Sequence, residues 1–434
     1  MMQFVFTKTP LSYFVASFWR DEAFSYLMAR LPIHKLLWFT AQDANPPLYY
    51  LVLKVWMSVF GFSEVALRSL SFIFFWATIY VAFLIMKEVF KISTKKSLFY
   101  LLLFIINPFL HYYAFEARMY SMMAFIATLL FYSLMKKKYR LYTYVALAAL
   151  FTHYFLIFVI ASQTLFFFFT SHKTERIVFF QSLFKGILWY VPWIIILVLA
   201  KPPISQSFWL SSPSWSDIVL LPAIILTGYE KDAWIVIRYL PIISLGISVI
   251  LFFGYKHTIT HQKRLHLLLL VGWSLGIPLG IFILSFFKPL FLPRYFIFSS
   301  VGITLLLVVC FEGIKNKYIR YFSISILMLF LLYYSSIQAL MRTKTPMQKT
   351  FHSINKLMGA NDIVYVTHEY NFHVAEYYLP SKQIYLYKKS YDDLPWFIGK
   401  VLIDKQVFRD TLPQYPTRAF IVNNDGSYSI QSSP

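Results

Sequence analysis

Long, predominantly apolar runs recur through most of the chain and constrain its fold more than any other feature. A run of about 20 apolar residues can cross the roughly 30 Å hydrocarbon layer of a bilayer as an α-helix. The chain has 434 residues, of which 59% are hydrophobic and only 14% are charged, whereas soluble domains are about 45–50% apolar and about 25% charged. Its mean hydropathy is +0.60. The sequence therefore predicts an all-α polytopic membrane protein.

The apolar runs predict about eleven transmembrane helices. The first, at residues 4–19, is short and is interrupted by Lys8 and Pro10. Two others meet at His153 and are short enough to form a broken or tilted pair. The clear spans are predicted at residues 66–86, 98–115, 119–135, 141–152, 154–170, 178–200, 234–253, 267–287, 295–311 and 321–340.

Lysine and arginine collect in alternate loops, which predicts the orientation of the spans. They cluster at residues 87–96, 136–140, 173–176, 256–264 and 315–320. Loops rich in Lys and Arg lie on the cytoplasmic side of a membrane protein. The net charge of +21 is explained by these loops, so no nucleic-acid partner is predicted. The extracytoplasmic side of the plasma membrane then receives residues 21–64, 116–118, 153, 201–233, 288–294 and everything after 340.

Candidate functional groups fall on this extracytoplasmic side. Asp21 and Glu22 directly follow the first run, and a carboxylate at membrane depth costs about 2.5–3.5 kcal/mol, so we expect the chain to use them. Asp43 lies in the loop at residues 21–64, before Asn45, which is predicted to cap a helix over 48–60 lying in the interface plane. An ordinary polar helix end and a plain connector remain the alternatives.

A second group of candidate functional residues follows a predicted break in the span at residues 98–115. Asn107-Pro108 is predicted to interrupt the run at 98–115 near its outer end. If the segment after it is helical, Glu116 and Tyr120 share a face while Arg118 points elsewhere. Arg118 could clamp a phosphate through two hydrogen bonds. A local ion pair between Glu116 and Arg118 is the simpler interpretation.

Two further groups complete the set. His153 lies between two short spans. It is either a site residue or a buried histidine whose ring nitrogens are hydrogen-bonded within the protein core. Lys288 and Arg294 are the cations of a short outer turn that ends at Tyr295. They suit a polyanionic headgroup, although Lys, Arg and Tyr also anchor helices at the interface.

Together these groups resemble the GT-C superfamily of polyprenyl-phosphate-sugar-dependent glycosyltransferases. Within it they are similar to the branch of the protein O-mannosyltransferases and the lipid A aminoarabinose transferases, glycosyltransferase families 39 and 83. The resemblance covers roughly residues 15 to 300. It rests on the order of several short motifs along the chain and on their common position on the extracytoplasmic side. These are Asp21-Glu22-Ala23, Asn45-Pro46-Pro47-Leu48-Tyr49-Tyr50, Gly61-Phe62-Ser63-Glu64-Val65-Ala66-Leu67-Arg68, Tyr113-Ala114-Phe115-Glu116-Ala117-Arg118-Met119-Tyr120, Thr152-His153-Tyr154-Phe155 and Pro293-Arg294-Tyr295.

The resemblance implies a lipid-linked sugar phosphate as donor, with its isoprenoid tail among the spans. An acceptor on a protein, lipid or glycan would attack the anomeric carbon with inversion. Asp21 would be the base or the carboxylate that orients the acceptor, and Glu22 and Asp43 would support it. Some relatives use a divalent cation. Asp21, Glu22, Asp43 and Glu116 could host one, but their spacing does not establish it.

The resemblance also implies cations at the departing phosphate. Arg118 and Arg294, together with Lys288 and His153, would stabilise its charge. No nucleotide-binding motif is required, and none occurs in the sequence. The expected substrate-binding residues are therefore Asp43, Glu116, Arg118, His153, Lys288, Arg294 and Tyr295.

The composition becomes polar after residue 340, which divides the chain into a transmembrane domain (1–340) and a small extracytoplasmic α/β domain (341–434). The pattern predicts a helix at 347–357, a strand at 362–367, a helix at 372–379 and a strand at 383–387. Residues 423–434 are predicted to be frayed. The domain either holds the acceptor or covers the site, and His368 and Glu369 are as well explained as surface residues.

Two other functions compete with a transferase. A transporter or flippase of lipid-linked saccharides is expected to place ionisable groups near the midplane and to show repeat symmetry; here the polar groups cluster at one face and no convincing repeat is found. A membrane scaffold with a docking domain would leave Asp21 and Glu22 unexplained.

Overall fold

The computed structural model describes residues 11–202, 210–230, 236–256, 261–380 and 382–434 of the chain. Helices make up most of the described structure as far as residue 341, and a five-stranded sheet with flanking helices follows. This is the predicted helical, membrane-type architecture with a small C-terminal α/β unit.

The helices are numbered here in chain order. Four short helices come first: α1 (Ser12–Val15), α2 (Arg20–Arg30), α3 (Ile33–Gln42) and α4 (Leu48–Phe60). The bundle consists of α5 (Glu64–Leu84, continued by a π-helical turn at Ile85–Val89), α6 (Thr94–Ile105), α7 (Pro108–Ala114), α8 (Tyr120–Met135), α9 (Tyr139–Thr152), α10 (Leu156–Thr170), α11 (Lys173–Leu188), α12 (Val191–Ala200), α13 (Trp215–Thr227), α14 (Leu240–Lys256), α15 (His261–Val271), α16 (Ile277–Leu284), α17 (Ile297–Gly313) and α18 (Lys317–Met341).

Four described segments are long and apolar enough to cross a membrane: Glu64–Val89, Arg264–Leu284, Pro293–Gly313 and Lys317–Met341. The pairs α6–α7 and α11–α12, bent by 70° and 42°, would add one span each. The count of about eleven spans therefore stays a prediction. Parts of several predicted features lie outside the described residues, namely the first span (4–10), the outer loop at 201–233, the start of the span at 234–253 and the basic loop at 256–264.

The outer segment at residues 21–64 is almost wholly helical and follows a short N-terminal run. In the described part of that run only α1 is helical, and the chain is extended from Ala16. Helix α4 ends at Gly61, as predicted, with φ +80°. The predicted cap at Asn45 is wrong, because α4 begins only at Leu48. The two prolines between them carry no N–H, so a cap at Asn45 would find few donors.

The bend between α6 and α7 carries the chain into the region of the site. Pro108 cannot donate a backbone hydrogen bond, which ends α6, and Asn107 Oδ1 caps α7 by accepting from Phe109 N and Leu110 N, both at 3.0 Å. The other side of the Asn107 amide donates to Ser300 Oγ of α17 at 2.9 Å. The predicted break at Asn107-Pro108 is confirmed and is fixed to the centre of the bundle.

Helix α17 is the central helix of the described bundle. Its sequence is apolar all round, which is typical of a helix with no solvent-facing side. Accordingly, 89% of its most apolar window is buried inside the protein.

The C-terminal unit contains α19 (Met347–Leu357), α20 (Phe372–Tyr378) and the strands β1 (Ile363–Val366), β2 (Gln383–Tyr387), β3 (Phe408–Arg409), β4 (Ala419–Val422) and β5 (Tyr428–Gln431). The strand order is β3-β2-β1-β4-β5, and only β5 is antiparallel. The predicted elements at 347–387 are confirmed to within two residues. The predicted fraying of 423–434 is wrong, since Phe420 pairs with Ile430 across the β4–β5 ladder.

The C-terminal unit is attached to the outer segment by hydrogen bonds from adjacent tyrosines. Tyr378 Oη accepts from Phe18 N at 2.9 Å and donates to Glu64 Oε1 at 3.0 Å. Tyr377 Oη donates to the carbonyl oxygen of Phe62 at 2.9 Å. Helix α20 therefore packs beside α2, and the unit lies over the helices that carry the candidate acids.

Candidate active site

A cavity of about 200 Å³ lies between the outer helices, the ends of the bundle helices and the C-terminal unit. Its walls come from helix ends and connections rather than from the middles of bundle helices. Six of the nine predicted site residues line it: Asp21, Asp43, Arg118, His153, Arg294 and Tyr295. These residues are distant in sequence, so only tertiary packing brings them together.

Asp21 lies in the first turn of α2 and faces a group of arginines. Its Oδ1 atom accepts from Arg20 Nε at 2.9 Å and Arg20 Nη2 at 2.8 Å, and Arg118 Nη2 lies 3.8 Å from Oδ2. Burial opposes ionisation of Asp21, but the charges of Arg20, Arg118 and Arg294 outweigh it and lower its pKa to about 2. Asp21 is therefore ionised throughout the physiological range. Arg20 was missed by the sequence reasoning.

Arg118 has unused hydrogen-bonding capacity. Its Nε atom is buried and has no acceptor among the described residues. Nη1 makes only long contacts of 3.4 Å, to Asp21 O and Ser25 Oγ. The backbone is held by Ser71 of α5, whose Oγ lies 3.2 Å from the carbonyl oxygen of Arg118. The guanidinium thus faces the cavity with donors to spare.

Asp43 is the second cavity carboxylate, in the turn after α3. Asn45 Nδ2 donates to Asp43 Oδ2 at 2.6 Å. Burial raises the pKa of Asp43 to about 7, and the nearby charge of Asp21 acts in the same direction, against the opposing effects of Asn45 and Arg118. The two carboxylates of one cavity therefore differ widely in proton affinity, which is typical of acid–base sites.

His153 lines the cavity from the break between α9 and α10. Its Nδ1 accepts from Phe155 N at 3.2 Å, which leaves Nε2 as the ring's N–H donor. Burial, with a smaller contribution from Arg118, lowers the pKa of His153 to about 3. The imidazole is therefore neutral and could bind a phosphate only through its Nε2–H, and its role at the phosphate stays a prediction.

Arg294 reaches the cavity from a short 3₁₀ turn, Pro293–Phe296, that precedes α17. Its guanidinium forms a two-point ion pair with Glu230, with Nε donating to Oε1 at 2.9 Å and Nη2 bonded to Oε2. Tyr113 Oη lies 3.4 Å from the same carboxylate. Glu230 was missed because the sequence around it carries no motif.

Glu22, which the resemblance assigned to support Asp21, does not line the cavity. Successive residues of a helix point about 100° apart, and Glu22 faces α5. Its carboxylate accepts from Arg68 Nε and Nη2, both at 2.7 Å, and both side chains are fully buried. Ala117 N and Lys344 Nζ also bind it, at 3.0 and 2.7 Å. The pair anchors α2 to α5.

Glu116 is also directed away from the cavity. Residues 115–119 form a turn rather than a helix, so the predicted common face of Glu116 and Tyr120 is wrong. Glu116 accepts from Trp19 Nε1 at 2.6 Å and pairs with Lys344 Nζ at 2.8 Å, whereas Tyr120 and Arg118 line the cavity. Because the chain turns between Glu116 and Arg118, the two side chains leave it in different directions.

Lys288 is the third predicted residue outside the cavity. It lies in the connection between α16 and the turn at Pro293–Phe296, and its side chain is exposed. Leu292 and Arg294, further along the connection, reach the cavity instead. Lys288 was expected to stabilise the phosphate together with Arg294, but in the structure it lies outside the cavity that Arg294 lines.

The C-terminal unit closes one side of the cavity with residues 396–399. Gly399 has φ +81°, and a Cβ atom at this position would lie 2.4 Å from the ring of Phe24. The loop can approach α2 this closely only with glycine. Nothing in the sequence of this loop indicated a role at the site.

The acidic residues considered for a divalent cation do not converge. Asp21 and Asp43 line the cavity, while Glu22 and Glu116 share Lys344 outside it. Within the described ranges no group of three or more His, Cys, Asp or Glu side chains is placed to hold a metal ion.

The helical bundle, outer helices and C-terminal sheet together form a fold that is also found in solved structures of another protein. Two of the structures that share it are those of ArnT from Cupriavidus metallidurans. The apo ArnT structure superposes with a TM-score of 0.66, and ArnT bound to undecaprenyl phosphate with 0.61. Both are 11% identical in sequence over 97% of this chain and 93% of that one. No protein-family model and no curated protein sequence matches the chain.

Proposed function

We propose that the chain is a membrane glycosyltransferase that takes a hexosyl or pentosyl group from a polyprenyl-phosphate donor and transfers it with inversion. The shared fold supports this, together with the undecaprenyl phosphate bound by one of the ArnT structures. The reaction would occur on the extracytoplasmic face of the plasma membrane. In support, α5, α8, α10 and α17 each begin near the site and end at a basic loop.

The observation that carries the proposal is the buried Arg118 guanidinium with unused donors, beside two carboxylates of unlike proton affinity. A buried polar group without a partner costs about 1–3 kcal/mol, more when it is charged. A phosphate oxygen would satisfy Arg118 and could be held through two hydrogen bonds. The cavity therefore suits an anionic leaving group next to a proton acceptor.

In the proposed reaction an acceptor hydroxyl or amine attacks the anomeric carbon from the side opposite the phosphate. The bond from that carbon to the phosphate oxygen breaks, and its electron pair leaves with the polyprenyl phosphate. Arg118 and Arg294 stabilise the charge that develops there. The acceptor's proton passes to a carboxylate of the cavity, so that atoms and charge balance.

Either cavity carboxylate could contact the acceptor. Asp21, the predicted base, is held ionised by Arg20, Arg118 and Arg294. Phosphate binding at Arg118 would weaken the effect of that arginine and make Asp21 more basic. Asp43 needs no such change, because its pKa of about 7 already matches the working range of a general base. We therefore assign proton transfer to Asp43 and orientation of the acceptor to Asp21.

Substituting Arg118 with Gln is expected to weaken binding of undecaprenyl phosphate by at least about tenfold, because a charge-assisted hydrogen bond contributes about 1.5–3 kcal/mol. Binding can be measured by the thermal shift of the purified protein in detergent. Arg140→Gln, in the exposed first turn of α9, is the matched control and should bind normally. Equal affinity of wild type and Arg118→Gln would contradict the proposed phosphate site.

The pH dependence separates the two carboxylates. A carboxylate accepts a proton only when ionised, so the wild-type transfer rate should rise with pH through about 7 and then level off. In the Asp43→Asn variant this rise of the rate with pH should disappear, and most of the transfer activity should be lost. A wild-type rate that is flat from about pH 5 to about pH 9 would assign the proton to Asp21 instead.

A transporter or flippase is less well supported. Such proteins are expected to place their ionisable groups near the membrane midplane on broken helices. The ionisable residues of this cavity lie at helix ends and in connections.

A further inference from the structure

The C-terminal sheet has a topological switch point that faces the membrane part of the protein. From β1 the chain moves to β2 and β3 on one side, and then returns to β4 on the other side of β1. The strand order therefore reverses between the parallel neighbours β1 and β4. In open α/β sheets, ligands bind in the crevice outside the carboxyl ends of the strands at such a point.

A second cavity, of about 380 Å³, occupies that position. Tyr370 and Asn371, which follow β1, form one wall, and Asn424, which follows β4, lies beside them. Asn371 Nδ2 donates to Asn424 Oδ1 at 3.2 Å, which joins the two strand ends. Trp19 and Arg20 face them from the outer segment.

This crevice adjoins the proposed catalytic cavity. Arg20, Arg294 and Phe397 line both spaces. A ligand held at the strand ends would therefore approach the cavity carboxylates past Arg20, which is bonded to Asp21.

The lining indicates the chemistry of the ligand. The rings of Trp19, Tyr370 and Phe397 supply apolar faces, and two carboxamides supply both donors and acceptors. The three cations that line the crevice are each paired with a carboxylate: Arg20 with Asp21, Arg294 with Glu230, and Lys344 with Glu22 and Glu116. A neutral ligand with many hydroxyl groups and an apolar ring face meets these conditions.

We infer that the crevice between the β1 and β4 ends is the acceptor subsite, and that the acceptor presents a saccharide there. The inference rests on the proposed function and extends it by selecting a glycan-bearing acceptor over a peptide or a simple lipid. The C-terminal unit then holds the acceptor as well as closing the catalytic cavity.

Site-directed cysteine labelling tests this in the full-length protein, whose single native cysteine, Cys310, is buried. Asn424→Cys and Thr345→Cys place a thiol at two exposed positions of the crevice, and Ser429→Cys, on β5, is the control outside it. The rate of reaction with N-ethylmaleimide is measured with and without each of a panel of mono- and disaccharides. A saccharide at about four times its Kd should slow labelling about fivefold at both crevice positions and leave Ser429→Cys unchanged.

Three outcomes would overturn the inference: no saccharide protects either crevice position, a short peptide or phospholipid headgroup protects instead, or undecaprenyl phosphate alone protects. Binding of undecaprenyl phosphate to the same proteins, and its dependence on Arg118, tests the proposed function separately. Phosphate binding without saccharide protection would refute only the acceptor subsite. Saccharide protection without phosphate binding would refute the polyprenyl-phosphate donor.

Discussion

Replacing Asp21 with Asn is expected to lower sugar transfer by about 10²-fold, because an acceptor that is displaced by about 1 Å from the reactive geometry loses about that much rate. Asparagine has the same shape but no charge, so Arg20, Arg118 and Arg294 would lose the anion that they surround. Membranes containing either protein can be incubated with a panel of radiolabelled polyprenyl-phosphate sugars, and the label transferred can then be counted.

The matched control for this experiment is Asp410→Asn, since Asp410 is exposed on the C-terminal unit and does not line the cavity. It should transfer label at the wild-type rate. Equal transfer by wild type and Asp21→Asn would show that Asp21 is not needed for the reaction.

Replacing Arg68 with Met is expected to destabilise the folded protein by about 3–5 kcal/mol, the usual cost of removing one partner of a buried ion pair. Arg68 binds Glu22 at two points, and its Nη1 also donates to the carbonyl oxygens of Tyr13, Phe14 and Ala16, at 2.8, 3.0 and 2.6 Å. Those acceptors would stay buried without this donor. The loss should appear as a lower unfolding temperature in detergent.

An exposed pair provides the comparison. Lys137 and Glu175 lie 2.6 Å apart, but the Lys137 side chain is 64% exposed, so Lys137→Met should cost no more than about 1 kcal/mol. If Arg68→Met unfolds at the same temperature as Lys137→Met, the pair of Arg68 and Glu22 does not anchor the outer helices.

The local elements were largely readable from the sequence. The apolar runs predicted most bundle helices, Pro108 marked the bend, and Gly61 marked the end of α4. In the C-terminal unit the strand at Gln383–Tyr387 and the helix at Met347–Leu357 were predicted to the residue. Each of these signals acts within a few neighbouring residues, which is why the sequence carries it.

The direction of individual side chains was not readable. Asp21 and Glu22 are adjacent, yet one faces the cavity and the other Arg68 of α5. Glu116 and Arg118 diverge in the same way, because the segment between them is a turn. Two adjacent acidic residues on a predicted helix indicate a site, but the sequence does not predict which of the two side chains faces it.

By itself, the sequence determined that this chain forms apolar helices and that a small α/β unit follows them. It also determined at which helix ends the acidic residues and arginines lie. These are consequences of hydropathy, charge and turn chemistry, which act over short distances along the chain. Only the tertiary structure decided that Glu230 and Lys344 compensate distant charges, that Glu22 is an anchor, and that the ends of β1 and β4 open toward the cavity. The ion pairs among them join residues that lie 46 to 322 positions apart, and packing alone selects them.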